Sequence, residues 1–152
     1  MQITPSKVNS FMLFKLPLAY FGGVRVKSLN ETESVVKIKH RWFNQNPFKS
    51  MFWAAQGMAA EMTTGVLVMK KIQDSKRKVS MLVTNQNGSF TKKATGTIRF
   101  ICKDGSKVYD AIQKSIATGE GQKITMKSEG FNEENISVST FEFEWSLKVK
   151  SE

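Results

Sequence analysis

Two periodicities of apolar residues run through this sequence. From Asn46 to Ile72 the residues are apolar or small on nearly every side, with Glu61 the lone acid, so the segment predicts one long helix running from Asn46-Pro47 to about Ile72. A helix that is apolar all round has to be wrapped by other elements. Elsewhere the period is two. Val24–Asn30 sets Val24, Val26 and Ser28 against Arg25, Lys27 and Leu29. Ser34–Trp42 sets Val36, Ile38 and His40 against Val35, Lys37, Lys39 and Arg41. Asn30-Glu31-Thr32-Glu33 joins these two as an antiparallel hairpin. Further strands are expected over Val79–Thr84, Lys93–Cys102, 122–129 and 135–150, with Asn87-Gly88 as a turn or bulge after the first of them. The last strand alternates cleanly, with Phe141, Phe143, Trp145, Leu147 and Val149 on its dry face. Residues 6–20 predict a helix burying Phe11, Leu13, Phe14 and Leu16, limited by Pro17 and ended by Gly22-Gly23. Ser106 to about Ala117 predicts a short helix with a Val108, Ile112, Ile116 stripe, ended by Gly119 and Gly121.

The resulting order is helix, two strands, long helix, two strands, short helix, two strands. That order predicts an α+β fold in which an antiparallel sheet of about five or six strands curls round one long central helix. The 152 residues suit one domain over 1–152, without repeats, low-complexity tracts or linkers.

Composition narrows the function classes. No apolar run reaches the roughly 18 uncharged residues of a bilayer span, and the N-terminus lacks the pattern of a secretion signal. Cys102 is the only cysteine, which excludes an internal disulfide and agrees with a reducing compartment, most simply the cytoplasm. The formal charge of +10 and pI near 9.8 attract polyanions: nucleic acid, anionic lipid or the phosphates of coenzyme A. Only Arg25, Arg41, Arg77 and Arg99 are arginines, whereas reading base edges favours Arg. A lysine-rich solvated surface is therefore the preferred reading over a nucleic-acid footprint, and Lys76-Arg77-Lys78 and Lys92-Lys93 read first as solvated loops.

Glu61 inside a wrapped helix is costly unless it has a partner or a task. Asn46 before Pro47 is a good N-cap, with Pro47 at the first helical position. Ala54, Ala55, Gly57, Ala59 and Ala60 suit close packing. His40 has no second histidine at metal spacing and Cys102 has no Cys or His companion, so no metal site is expected. Gly22-Gly23 lacks the strand-then-helix context of a phosphate loop.

Asn46 at the helix mouth with Glu61 fifteen residues later resembles the hotdog-fold thioesterase superfamily. Phenylacetyl-CoA-type members open the central helix with Asn, Gly and His-Gly-Gly, followed by an acid. Here Lys49 stands where the family often has Gly, and Phe52-Trp53-Ala54 replaces His-Gly-Gly. The run Pro17–Met69, including Tyr20-Phe21-Gly22-Gly23-Val24-Arg25-Val26, is similar to a branch described only as a domain of unknown function and regarded as acyl-CoA thioesterases.

The resemblance implies a homodimer or dimer of dimers that hydrolyses an acyl thioester. Glu61, from the partner's helix, would serve as general base on water or as nucleophile. Asn46 would position water or carbonyl, and the backbone N–H of Phe52 or Trp53 would hold the oxyanion. Met51, Phe52, Trp53, Gly57 and Met58 are the implied substrate-binding residues; taken singly, Phe48, Met51, Phe52, Trp53 and Met58 read first as core and second as an acyl-tunnel lining. No cofactor is implied beyond coenzyme A as part of the substrate. The missing His-Gly-Gly keeps a second reading open, a non-catalytic acyl-binding or scaffolding hotdog protein.

Overall fold

The computed structural model describes residues 2–151. Two helices open the chain, α1 (Pro5–Lys15) and α2 (Pro17–Gly22), followed by the hairpin β1 (Arg25–Leu29) and β2 (Ser34–Lys39). A 3-10 turn at Trp42–Asn44 leads to the long helix α3 (Trp53–Ser75). Then come β3 (Val79–Phe90), β4 (Thr97–Cys102), α4 (Gly105–Thr118), β5 (Gln122–Phe131) and β6 (Ser137–Val149). The six strands form one sheet in the order β1-β2-β4-β5-β6-β3, and every neighbouring pair is antiparallel. The sheet curls round α3, as the sequence predicts.

Small side chains let α3 sink into the sheet. Ala59, Ala60, Val66, Leu67 and Val68 belong to one buried cluster with Val36, Ile38, Phe100, Met126, Phe141 and Leu147. A Cβ placed on Gly65 would meet the Trp145 ring at 3.5 Å, so helix and β6 approach at contact distance there. Polar side chains fasten the same surface. Thr63 Oγ1 shares a hydrogen bond with Ser128 Oγ at 2.6 Å, and Ser34 Oγ donates to the Thr63 carbonyl at 2.5 Å. Trp145 Nε1 donates to Thr64 Oγ1 at 2.9 Å, and Ser139 Oγ donates to Gln56 Oε1 at 2.8 Å. These pairings satisfy groups that would otherwise be costly to bury.

The far end of α3 holds two lysines in the interior. Lys70 is 7% exposed and Lys71 is 9% exposed. Both reach Glu31 in the β1–β2 turn at 2.6 Å, and Lys70 also meets Asp74 at 3.0 Å. The two ammonium groups hold the Glu31 carboxyl down at about 2.

Several expectations are corrected. The long helix begins at Trp53, with Phe52 as its N-cap, instead of at Asn46-Pro47. Asn46 closes a local turn: its Oδ1 accepts from the N–H of Phe48 at 2.9 Å and of Ser50 at 3.2 Å, and its own N–H donates to the Ser50 carbonyl at 2.8 Å. Side-chain-to-backbone bonding of this kind competes with helix formation. At the other end α3 runs on to Ser75 before Lys76 turns left-handed. In α1 the buried row is Val8 and Met12, four residues apart, while Phe11, Phe14 and the following Leu16 are exposed. Pro17 does not only limit that helix; it starts a second one, capped by Gly23 at φ 101°. Asn87-Gly88 makes no turn, because β6 is long enough to pair β3 through to Phe90 with only a bulge between Val83 and Asn85. α4 starts after Asp104 and not at Ser106; the Asp104 carboxylate accepts from the Lys127 N–H at 2.8 Å and does not cap the helix.

Candidate functional site

The start of α3 presents backbone N–H groups among the exposed rings of Phe48, Phe52 and Trp53. Phe52 is extended, and its carbonyl takes the first helical bonds, from Ala55 N–H at 3.0 Å and Gln56 N–H at 3.2 Å. The Phe52 N–H itself is used by the Asn44 carbonyl at 2.8 Å. No side chain caps the helix, so among the described residues no acceptor meets the N–H groups of Trp53 and Ala54. Two free donors at the positive end of a 23-residue helix make a place for developing negative charge.

Asn44 holds this geometry. It is buried, its Nδ2 donates to the carbonyls of Gly22 and Lys39 at 2.9 Å each, and its Oδ1 accepts from Arg41 N–H at 2.9 Å. Sequence pattern points to Asn46 and passes over Asn44, whose one signal is that it is a second asparagine two residues earlier in the same polar stretch.

Two clefts flank the helix start. One, of about 510 Å³, is lined by Asn46, Phe48, Met51, Phe52, Trp53 and Gln56, with Phe90, Lys92 and Lys93 across from them. The other, of about 310 Å³, is lined by Leu18, Gly22, Phe43, Phe52, Ala54 and Met58. Phe52 borders both, and its ring meets that of Trp53 edge-on at 5.9 Å.

The candidate residues divide by position. Asn46, Met51, Phe52 and Trp53 come together in the larger cleft. Met51 is fully buried there, with its N–H on the Ala94 carbonyl at 2.8 Å. The Asn46 amide is engaged on both sides, its Nδ2 donating to Ser50 Oγ at 3.0 Å and to the Met51 carbonyl at 3.4 Å. Met58 lines the smaller cleft and packs close to Gly22, and Gly57 lies against Phe141.

Glu61 lies apart from them. It lies seven, four and three residues on from Ala54, Gly57 and Met58, on the same side of α3, and unlike them it is exposed. Its carboxylate makes no hydrogen bond or ion pair among the described residues and lines neither cleft. The side chain reaches water, yet surrounding protein atoms displace part of its hydration, which pushes its carboxyl pKa up. Eight residues separate Trp53 from Glu61, roughly 12 Å along the axis, so one chain does not bring the acid to its own helix mouth.

Two other candidates for chemistry stand elsewhere. Burial pushes the Cys102 thiol up to about 12, which leaves it protonated and without nucleophilic character at neutral pH. His40 is half-buried with Nε2 unpartnered among the described residues, and it lines neither cleft.

Residues 6–147, nearly the whole chain, match a family described as a domain of unknown function, DUF4442. The chain belongs to the DUF4442 family. No curated protein matches this DUF4442 chain by sequence. Solved structures do match it in shape. A protein of unknown function from Pseudomonas aeruginosa, named a probable thioesterase, superposes with a TM-score of 0.83 at 18% identity over 99% of both chains. A protein of unknown function from Chlorobaculum tepidum TLS gives 0.82 at 20% identity, again over 99% of both. A thioesterase from Haemophilus influenzae gives 0.74 at 10% identity, covering 100% of this chain and 95% of the other. At such identities the likeness concerns the fold: DUF4442 here is a hotdog, six antiparallel strands around α3.

Proposed function

We propose that this DUF4442 chain is an acyl-thioester hydrolase, one hotdog domain working as a homodimer. Water attacks the thioester carbonyl with Glu61 of one subunit as general base. The N–H groups of Trp53 and Ala54 of the other subunit hold the oxyanion. The Phe52 N–H, already bonded to Asn44, takes no part. Asn46 acts by pinning the Phe48–Ser50 loop on the cleft wall, and Met51, Phe52 and Trp53 receive the acyl end. Lys92 and Lys93 on the opposite rim suit the phosphates of coenzyme A.

The observation that carries this reading is Glu61: an exposed carboxylate with a raised pKa and, among the described residues, no partner, on the helix whose first N–H groups are also unengaged there. A raised pKa brings a carboxyl nearer the range in which a general base is effective. The roughly 12 Å between acid and donors along one helix is the reason for a second copy, which an antiparallel neighbouring helix resolves by bringing each acid to the other's mouth. The outer edge of β3, unpaired among the described residues, offers the seam for that neighbour.

The test is hydrolysis of an acyl-CoA panel of increasing chain length, followed by free thiol release. Glu61→Gln is expected to lower kcat by roughly 10²–10⁴-fold with KM little changed. Turnover of no member of the panel, with acyl-CoA still binding, would replace this reading with a non-catalytic acyl-binding hotdog.

A further inference from the structure

We propose that the face built by α2 and the Arg41–Phe43 turn docks the protein on the surface of an anionic lipid bilayer. Four large apolar side chains there stand in water: Trp42 is 81% exposed, Leu18 71%, Phe43 60% and Phe21 58%. Leu18, Phe21 and Phe43 are contiguous, and Trp42 stands beside Phe43 in the chain. Pro17, Leu18, Phe21 and Phe43 border one open depression with Arg41, and Leu18 and Phe43 continue into the cleft that reaches Phe52. Phe14, 78% exposed, ends α1 just ahead of them. A connected apolar surface of this kind calls for an occupant.

Charge selects the occupant. The segments that carry this face, residues 5–23 and 41–55, contain no Asp or Glu, and their cations are Lys7, Lys15, Arg41 and Lys49. The only acids in the first sixty residues are Glu31 and Glu33, and Glu31 is already held by Lys70 and Lys71. A second copy meeting this face about a two-fold axis would set cations against cations. Anionic headgroups complement them, each nearby Lys or Arg adding to the attraction, while Trp and Phe settle at the headgroup level. An apolar wedge with a basic surround supplies the two signals that stable peripheral attachment needs. No described helix is long and apolar enough to cross a membrane, so the attachment is to the surface. The proposal does not depend on thioester hydrolysis.

Vesicle flotation tests it, with phosphatidylcholine vesicles made with and without phosphatidylglycerol. The protein is expected to float with the anionic vesicles only and to be released by salt. Leu18→Ser/Phe21→Ser and Trp42→Ser/Phe43→Ser are each expected to weaken binding by roughly tenfold or more. Arg41→Ser is expected to weaken it by roughly fivefold, and Ile136→Ser, on the β5–β6 turn, to bind as wild type. Brominated lipid in the anionic vesicles reads the wild-type chain without disturbing its fold: tryptophan emission is expected to be quenched, and the quenching to fall in Trp42→Phe. Absence of wild-type flotation, flotation that survives both double variants, or unquenched emission would overturn the proposal. A lowered association state in the double variants without wild-type vesicle binding would assign the face to a second copy instead.

Discussion

Folding takes part of the water away from Glu61 and gives it no cation in return, so its proton is held more tightly in the native chain than in the unfolded one. The stability this proton confers is present below the ordinary carboxyl value of 4.5 and is lost as pH rises through the raised folded value. At neutral pH the ionised side chain therefore works against folding. Glu61→Gln is expected to melt higher than wild type at pH 8 and to lose that advantage at pH 4, read by calorimetry at both; an unchanged difference would contradict the titration. Glu31 has the opposite sign. Its folded value of about 2 lies below 4.5, so its contribution is present above 4.5 and disappears as pH falls from there toward 2. Its carboxylate is largely open to water, which screens the pair. Glu31→Gln is expected to cost about 1–2 kcal/mol at pH 7 and nothing near pH 2, measured by urea melts across that range. Of these two acids only Glu61 was legible in the sequence, as the single acid in an apolar helix. The role of Glu31 was hidden because its cations lie about forty residues away on α3.

Elements with a strict period were readable, and those decided by local side-chain bonding were not. β6 alternates as written, with Phe141, Phe143, Trp145, Leu147 and Val149 all buried. The start of α3 was misplaced because Asn46 to Ser50 looks helical in composition, yet the Asn46 side chain closes its own turn, with Lys49 at φ 58°. The α1 face was misjudged because hydrophobicity alone favours Phe11 and Phe14, whereas the helix packs through Val8 and Met12 and leaves its aromatic side in water. The attachment of α3 to the sheet by hydroxyls was equally invisible, since the partners lie 29 to 83 residues away along the chain. Thr63→Val keeps the shape of the side chain but leaves Ser128 without its partner. Equilibrium unfolding is expected to show a loss of about 1–3 kcal/mol, and Thr63→Val/Ser128→Ala to recover part of it.

Across the whole molecule, the sheet ends in a strand of twelve residues whose outer edge pairs with no strand among the described residues. If two chains share each catalytic site, defects in different halves of the site should complement. Ala54→Pro removes one donor N–H in the first turn, where proline is tolerated, and Glu61→Gln removes the base. Each variant alone is expected to be nearly inactive. Unfolding and refolding an equal mixture is expected to restore about a quarter of wild-type turnover, the share of intact sites in randomly paired dimers. No recovery, with pairing verified by sedimentation, would mean that one chain supplies both groups.

Gln56, Thr63 and Thr64 also index α3 about its own axis. Each is latched to a different point of the sheet, so the cylinder has one permitted rotational setting. One residue of displacement along such a helix is a turn of about 100°. An acid moved to position 60 or 62 would point elsewhere, and the latches forbid the helix to roll and bring it back. The bearing of the carboxylate is thus fixed by hydroxyls that never touch it.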